Sequence, residues 1–164
     1  MSDPDHSAVY AAELAAFDGT DLEEVQPFEM IRGALERVVS ESWWSGGIVD
    51  VQQARSNASS SSTRCAVSEQ SPKAIIRLSA LQMTVATAAH ELAHVLAGVE
   101  RGHDAVYRRA YLDVVRVITN HDTTDRRHDT HVSQLADAFA QAGLLLGERA
   151  WQAPPDAIGG AFAL

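Results

Sequence analysis

The chain has 164 residues, 46% of them hydrophobic and 21% charged, which is enough apolar surface for the core of one soluble domain and too little chain for a multidomain assembly. Its 22 acidic and 13 basic side chains leave a net charge of −9, so no global field draws it to phosphate backbones, and nucleic acid is not expected as a partner. The single cysteine, Cys65, excludes an intrachain disulfide framework and suits a reducing compartment.

Residues 1–30 carry no Lys or Arg, and the longest apolar stretch, Val85 to Val99, is broken by His90, Glu91 and His94. Neither a signal peptide nor a membrane span is expected, and the default location is cytoplasmic. A first helix is predicted from Ser7 to Phe17 on the recurrence of Val9, Leu14 and Phe17, closed by Asp18-Gly19-Thr20. Within a single domain over 1–164, the segments 1–20 and 152–164 are expected at the periphery. A second helix follows Pro27, because Phe28, Ile31, Leu35, Val38 and Val39 form an apolar stripe that ends near Trp43 and Trp44. After Gly46-Gly47 the period shortens, and three strands are predicted around Ile48–Val51, Cys65–Val67 and Ile75–Leu78.

The serine-rich stretch Ser56 to Thr63 reads as a mobile hairpin loop, and Glu69-Gln70-Ser71-Pro72 as the next turn. Asn57-Ala58-Ser59 has the form of a glycosylation acceptor without a secretory context to use it. Cys65 reads as a small, buried or half-buried strand residue. Three helices are predicted in the second half, at Thr84–Gly98, Asp104 to about Thr119, and about Val132–Leu146.

Inside the first of these lies His90-Glu91-Leu92-Ala93-His94. Residues four apart share one face of a helix, so His90 and His94 can present ring nitrogens to one zinc ion. Glu91, about 100° further round, is placed to act on water as general base. Composition alone yields this pattern about 0.02 times in a chain of this length. A catalytic zinc takes a third protein ligand and keeps one position open. The pattern HExxHxxGxxH fails, since positions 97 and 100 are Ala97 and Glu100. Gly98 instead ends the helix, a short turn follows, and His103 stands before Asp104, a natural cap for the next helix. His103 is the predicted third ligand, and Glu100 is its competitor. Tyr107 could pack against the site or donate to a developing oxyanion, while Tyr111 reads as core. The stretch 120–131 gathers further histidines and aspartates, in which a solvated loop competes with a second metal site.

The run Thr87-Ala88-Ala89-His90-Glu91-Leu92-Ala93-His94, followed by Gly102-His103 and Tyr107, resembles the SprT-like zincin metallopeptidases. A closer resemblance is to a family of small metallohydrolases from bacteria and phages. It is carried also by Val9-Tyr10-Ala11-Ala12-Glu13 and by Leu135-Ala136-Asp137-Ala138 with Gly143-Leu144. The resemblance implies one zinc on His90, His94 and His103, with Glu91 as catalytic base. Asp104 departs from the small residue common after the third histidine, and the basic surface of DNA-associated members is missing.

The expectation is therefore an α+β zincin-like domain with a small three-stranded sheet packed on the HExxH helix, acting as a zinc metallopeptidase on peptide or protein substrates. The strand Lys73–Leu78 is expected at the sheet edge, aligning an extended substrate. A zinc-stabilised binding module without turnover and a hydrolase of non-peptide bonds are the alternatives.

Overall fold

The computed structural model describes residues 2–68, 71–120 and 127–155. Among them the chain forms α1 (His6–Phe17), α2 (Phe28–Ser40), β1 (Ile48–Gln53), β2 (Ser62–Ser68), β3 (Ser71–Leu78), α3 (Val85–Ala97), α4 (Ala105–Thr119) and α5 (Arg127–Gln141). The fold is mixed α+β, as composition and periodicity predict, and no helix of the described residues is long and apolar enough to cross a membrane. The turn predicted at Glu69-Gln70 lies outside the described residues.

The sheet order is β1-β3-β2. β3 runs parallel to β1, with Ile48 opposite Lys73, and antiparallel to β2, with Ser62 opposite Arg77. This corrects two expectations. β3 is the central strand, not an edge: it carries Ala74, Ile76 and Leu78, all buried against the helices, and so gains from neighbours on both sides. β2, with Ser62, Thr63 and Arg64, takes an edge, where polar residues are tolerated. Segment 54–61 is not a hairpin loop, because β1 and β2 flank β3 and do not pair. Nor is it loose, since the fully buried Ser79 donates its hydroxyl to the Ala58 carbonyl at 2.9 Å and its N–H to Ser61 Oγ at 2.9 Å. Gln82 Oε1 accepts the Ser61 N–H at 2.7 Å. Cys65 is exposed, because it stands on the edge strand.

Helix α1 is likewise not peripheral. Its inward stripe is Val9, Ala12, Glu13, Ala16 and Phe17, and it packs against α5, whereas Leu14 is 60% exposed. On α2, Ile31, Leu35 and Val38 are fully buried and form the core-facing stripe. Helix α3 lies against β2, β3 and α4, which places the HExxH run between sheet and helices. Helix α5 ends at Gln141, short of the expected Leu146, where Gly143 turns left-handed (φ 71°) and the Leu144 N–H closes on the Phe139 carbonyl at 2.9 Å.

The segment after α5 is strapped across α4. Gly147 N–H donates to the Ala105 carbonyl at 2.8 Å, and Arg149 holds Asp113 through two bonds of 2.6 and 2.9 Å. Trp151 Nε1 donates to the same Asp113, and Trp43 Nε1 to the Gln152 carbonyl at 2.6 Å. Residues 152–155, expected at the periphery, are thus tied to the body, and 156–164 lie outside the described residues.

Candidate metal centre

Helix α3 starts at Thr84, whose hydroxyl accepts the Thr87 N–H at 3.1 Å, a cap worth about 1 kcal/mol. It stops at Gly98, whose φ of 110° suits glycine. Between these ends the helical repeat puts His90 and His94 on one face, with ring centroids 5.2 Å apart. Residues Val99–Arg101 make one 3-10 turn, and Asp104 then caps α4 by accepting the Tyr107 N–H at 2.9 Å. His103, held between turn and cap, is thereby delivered to the pair. His90, His94 and His103 each offer one ligand atom, and these atoms all lie within 4.8 Å of one another.

Two of the imidazoles are aimed by carboxylates. His90 Nδ1 donates to Glu13 Oε2 at 3.0 Å, and His103 Nδ1 donates to Asp3 Oδ2 at 2.5 Å. With Nδ1 so engaged, the Nε2 atoms carry the lone pairs, and they face each other at 3.2 Å. Nitrogens on a tetrahedral zinc with bonds of about 2.0 to 2.1 Å stand about 3.3 Å apart, so the imidazole donor set suits that ion and the His90–His103 spacing matches it. His94 is held differently, its ring stacked on Tyr107 at 4.4 Å and 28°.

Glu13 is also a node. Its Oε1 accepts the Tyr111 hydroxyl at 2.6 Å, and the carboxylate is only 8% exposed. Asp3 is steered by Arg108 indirectly: the guanidinium bonds both Asp5 and the His103 carbonyl at 2.9 Å, fixing the start of the chain against the turn.

Burial opposes charge on all three histidines. For His90 the hydrogen bond and charge of Glu13, with Glu91, outweigh burial and raise its pKa. For His94 burial, joined by His90 and His103, pushes it down to about 3. For His103 burial prevails over the bond from Asp3 and lowers it. Burial raises the pKa of Glu91 despite the His90 charge and a hydrogen bond from Thr63 Oγ1 to Oε2 of 2.5 Å.

The structure thus brings His90, Glu91, His94 and His103 together. Glu100 is exposed and folds its carboxylate back over Gly98, away from the cluster. Tyr107 is fully buried and gives its hydroxyl to the His90 carbonyl at 3.1 Å, so it packs the site and leaves no proton for an oxyanion. Tyr111 is core, as predicted. In the stretch 120–131, residues 121–126 lie outside the described residues, and His131 stands beside Phe17 and Asp21.

Asp3, Glu13, Thr63 and Tyr10 are the site residues that sequence reasoning missed. Tyr10 is 42% exposed with its ring 4.9 Å from His90 and 5.4 Å from His103, at the mouth of the cluster. A signal existed for Glu13 alone: a carboxylate in line with Val9, Ala12, Ala16 and Phe17 sits where an apolar residue belongs.

Gly102 has φ 63°, and a Cβ there would stand 2.9 Å from the Asp3 carboxylate. Gly102→Ala is therefore expected to push Asp3 from His103 and lower zinc affinity about tenfold, the low end for losing such a partner. Competition against a chromophoric chelator measures it, and unchanged affinity would mean that Asp3 does not aim His103.

Comparison with known proteins gives no match: no family model, no curated protein and no solved structure is similar to this chain at a significant level.

Proposed function

We propose that the protein is a zinc-dependent hydrolase of the zincin type, acting on peptide bonds. The observation that carries this reading is one convergence: three imidazole donors within 4.8 Å, two of them aimed by acidic side chains, with a separate buried carboxylate, Glu91, on the same helix. His90, His94 and His103 would hold the zinc, which when bound would supply a Lewis acid for a substrate carbonyl and lower the pKa of water toward neutral.

Glu91 takes the proton of the attacking water on its carboxylate and returns it to the leaving amine. Its raised pKa suits that exchange, and Thr63 on β2 holds Oε2 in place. The free edge of β2, beside α3, is where an extended peptide adds by main-chain hydrogen bonds, the role first expected of β3. Tyr10 takes over the part considered for Tyr107. Burial, with Glu91, Glu13 and Asp3, pushes its phenol up to about 12, so it stays protonated and able to donate to a developing oxyanion.

Metal analysis joined to a peptide-library cleavage assay tests the reading. The expected result is about one zinc per chain, and cleavage that falls about 10² to 10⁴-fold in Glu91→Gln while zinc is retained. Zinc at full occupancy with no cleavage by the unaltered protein would favour a metal-stabilised binding module. Failure to take up zinc would overturn the proposal.

A further inference from the structure

A second site lies on the opposite face of the sheet. Side chains alternate along β2, so while Thr63 turns inward to Glu91, Ser62 and Arg64 turn outward. Arg77 pairs with Ser62 in the antiparallel register and shares that outer face. Segment 54–61 adds Arg55, Asn57 and Ser60, and together these residues line a cleft of about 620 Å³. Among the described residues, no acidic side chain lines it.

The arginines there differ from the other arginines whose side chains are described. Arg101, Arg108 and Arg149 hold carboxylates, Arg37 and Arg109 hold backbone carbonyls, Arg32 holds Glu29, and Arg116 is likewise engaged. Among the arginines whose side chains are described, Arg55, Arg64 and Arg77 alone have no hydrogen-bond or ion-pair partner, and all three line this one cleft. In a chain of net charge −9, with acids available to neutralise them, their convergence leaves three guanidinium forks for an outside anion. The rim is already built, because the buried Ser79 and Gln82 pin segment 54–61.

We infer that this cleft binds a compact ligand carrying two or more phosphate groups. Guanidinium forks match phosphate oxygens in pairs, and Asn57, Ser60 and Ser62 add uncharged hydrogen-bonding groups. The volume falls within the range of small-molecule sites and exceeds the needs of a single ion. Among the described residues no aromatic side chain lines the cleft to stack a base, and the net charge opposes a long polyanion, so a nucleic-acid strand fits poorly.

Calorimetric titration of the full chain with inorganic tripolyphosphate at low ionic strength tests this, with NMR of the arginine Nε–H groups to locate the ligand. Saturable one-to-one binding is expected, with shifts at Arg55, Arg64 and Arg77. Arg64→Gln and Arg77→Gln should each weaken it about tenfold or more, and Arg32→Gln, outside the cleft, should not. Absence of saturable binding, or equal loss in Arg32→Gln, would overturn the inference. So would shifts confined to other residues, or binding seen only with a single-stranded oligonucleotide.

Discussion

Replacing His103 with alanine is expected to weaken zinc binding by more than about 100-fold, the upper range for losing a group one bond removed from the metal. Glu100→Ala should leave affinity unchanged, because that carboxylate is exposed and lies over Gly98. The contrast is sharp because the two residues share one short turn. A ligand from position 100 would require the turn Val99–Arg101 to run back toward α3, whereas Asp104 and Arg108 fix it with His103 inward. Paired chelator-competition titrations decide the point. Zinc lost from the Glu100 variant and kept by the His103 variant would refute the ligand set and make Glu100 the third ligand.

Glu13→Ala is the second large effect, and it reaches both stability and metal. The substitution strands the Nδ1–H of His90 and takes the nearer of two acceptors from the hydroxyl of Tyr111, in residues 2% and 0% exposed. An unsatisfied buried donor costs about 1 to 3 kcal/mol, a cost His90 meets in full, while Tyr111 retains the Ala86 carbonyl at 3.2 Å and loses less. A loss of about 2 to 4 kcal/mol is expected in denaturant unfolding of the zinc-free protein. A fall in zinc affinity of about 10 to 100-fold should accompany it. Glu13→Gln, which keeps the shape and one acceptor, should fall between. Wild-type affinity in the alanine variant would show that His90 is aimed by its helix alone.

What was legible in the sequence is what depends on neighbours along the chain. The periodicity of α3, the spacing of His90 and His94, the stop at Gly98 and the cap at Asp104 are local, and they led to His103. Strand order was not legible, because β1 pairs with β3 and skips β2 along the chain, and no turn signal encodes a parallel pairing. The groups that aim the ligands were missed for the same reason: Glu13 lies 77 positions from His90, and Asp3 lies 100 from His103. Thr63 escaped notice because it was read as loop, while its hydroxyl depends on β2 being the strand beside α3. Buried carboxylates opposite a histidine pair are a tertiary fact, visible beforehand only as an acid out of place on an apolar stripe.

Tyrosine and tryptophan report on different parts of the molecule. All three tyrosines, Tyr10, Tyr107 and Tyr111, ring His90 at 4.9, 5.5 and 5.5 Å. The tryptophans report elsewhere: Trp43 and Trp151 on the docking of the C-terminal strap, and Trp44 on the turn before β1. Isotope labelling of tyrosine alone therefore lights the histidine cluster, with no tyrosine signal from elsewhere in the chain. Tryptophan labelling gives an internal reference that should stay still while metal is added, and move only when the strap lifts.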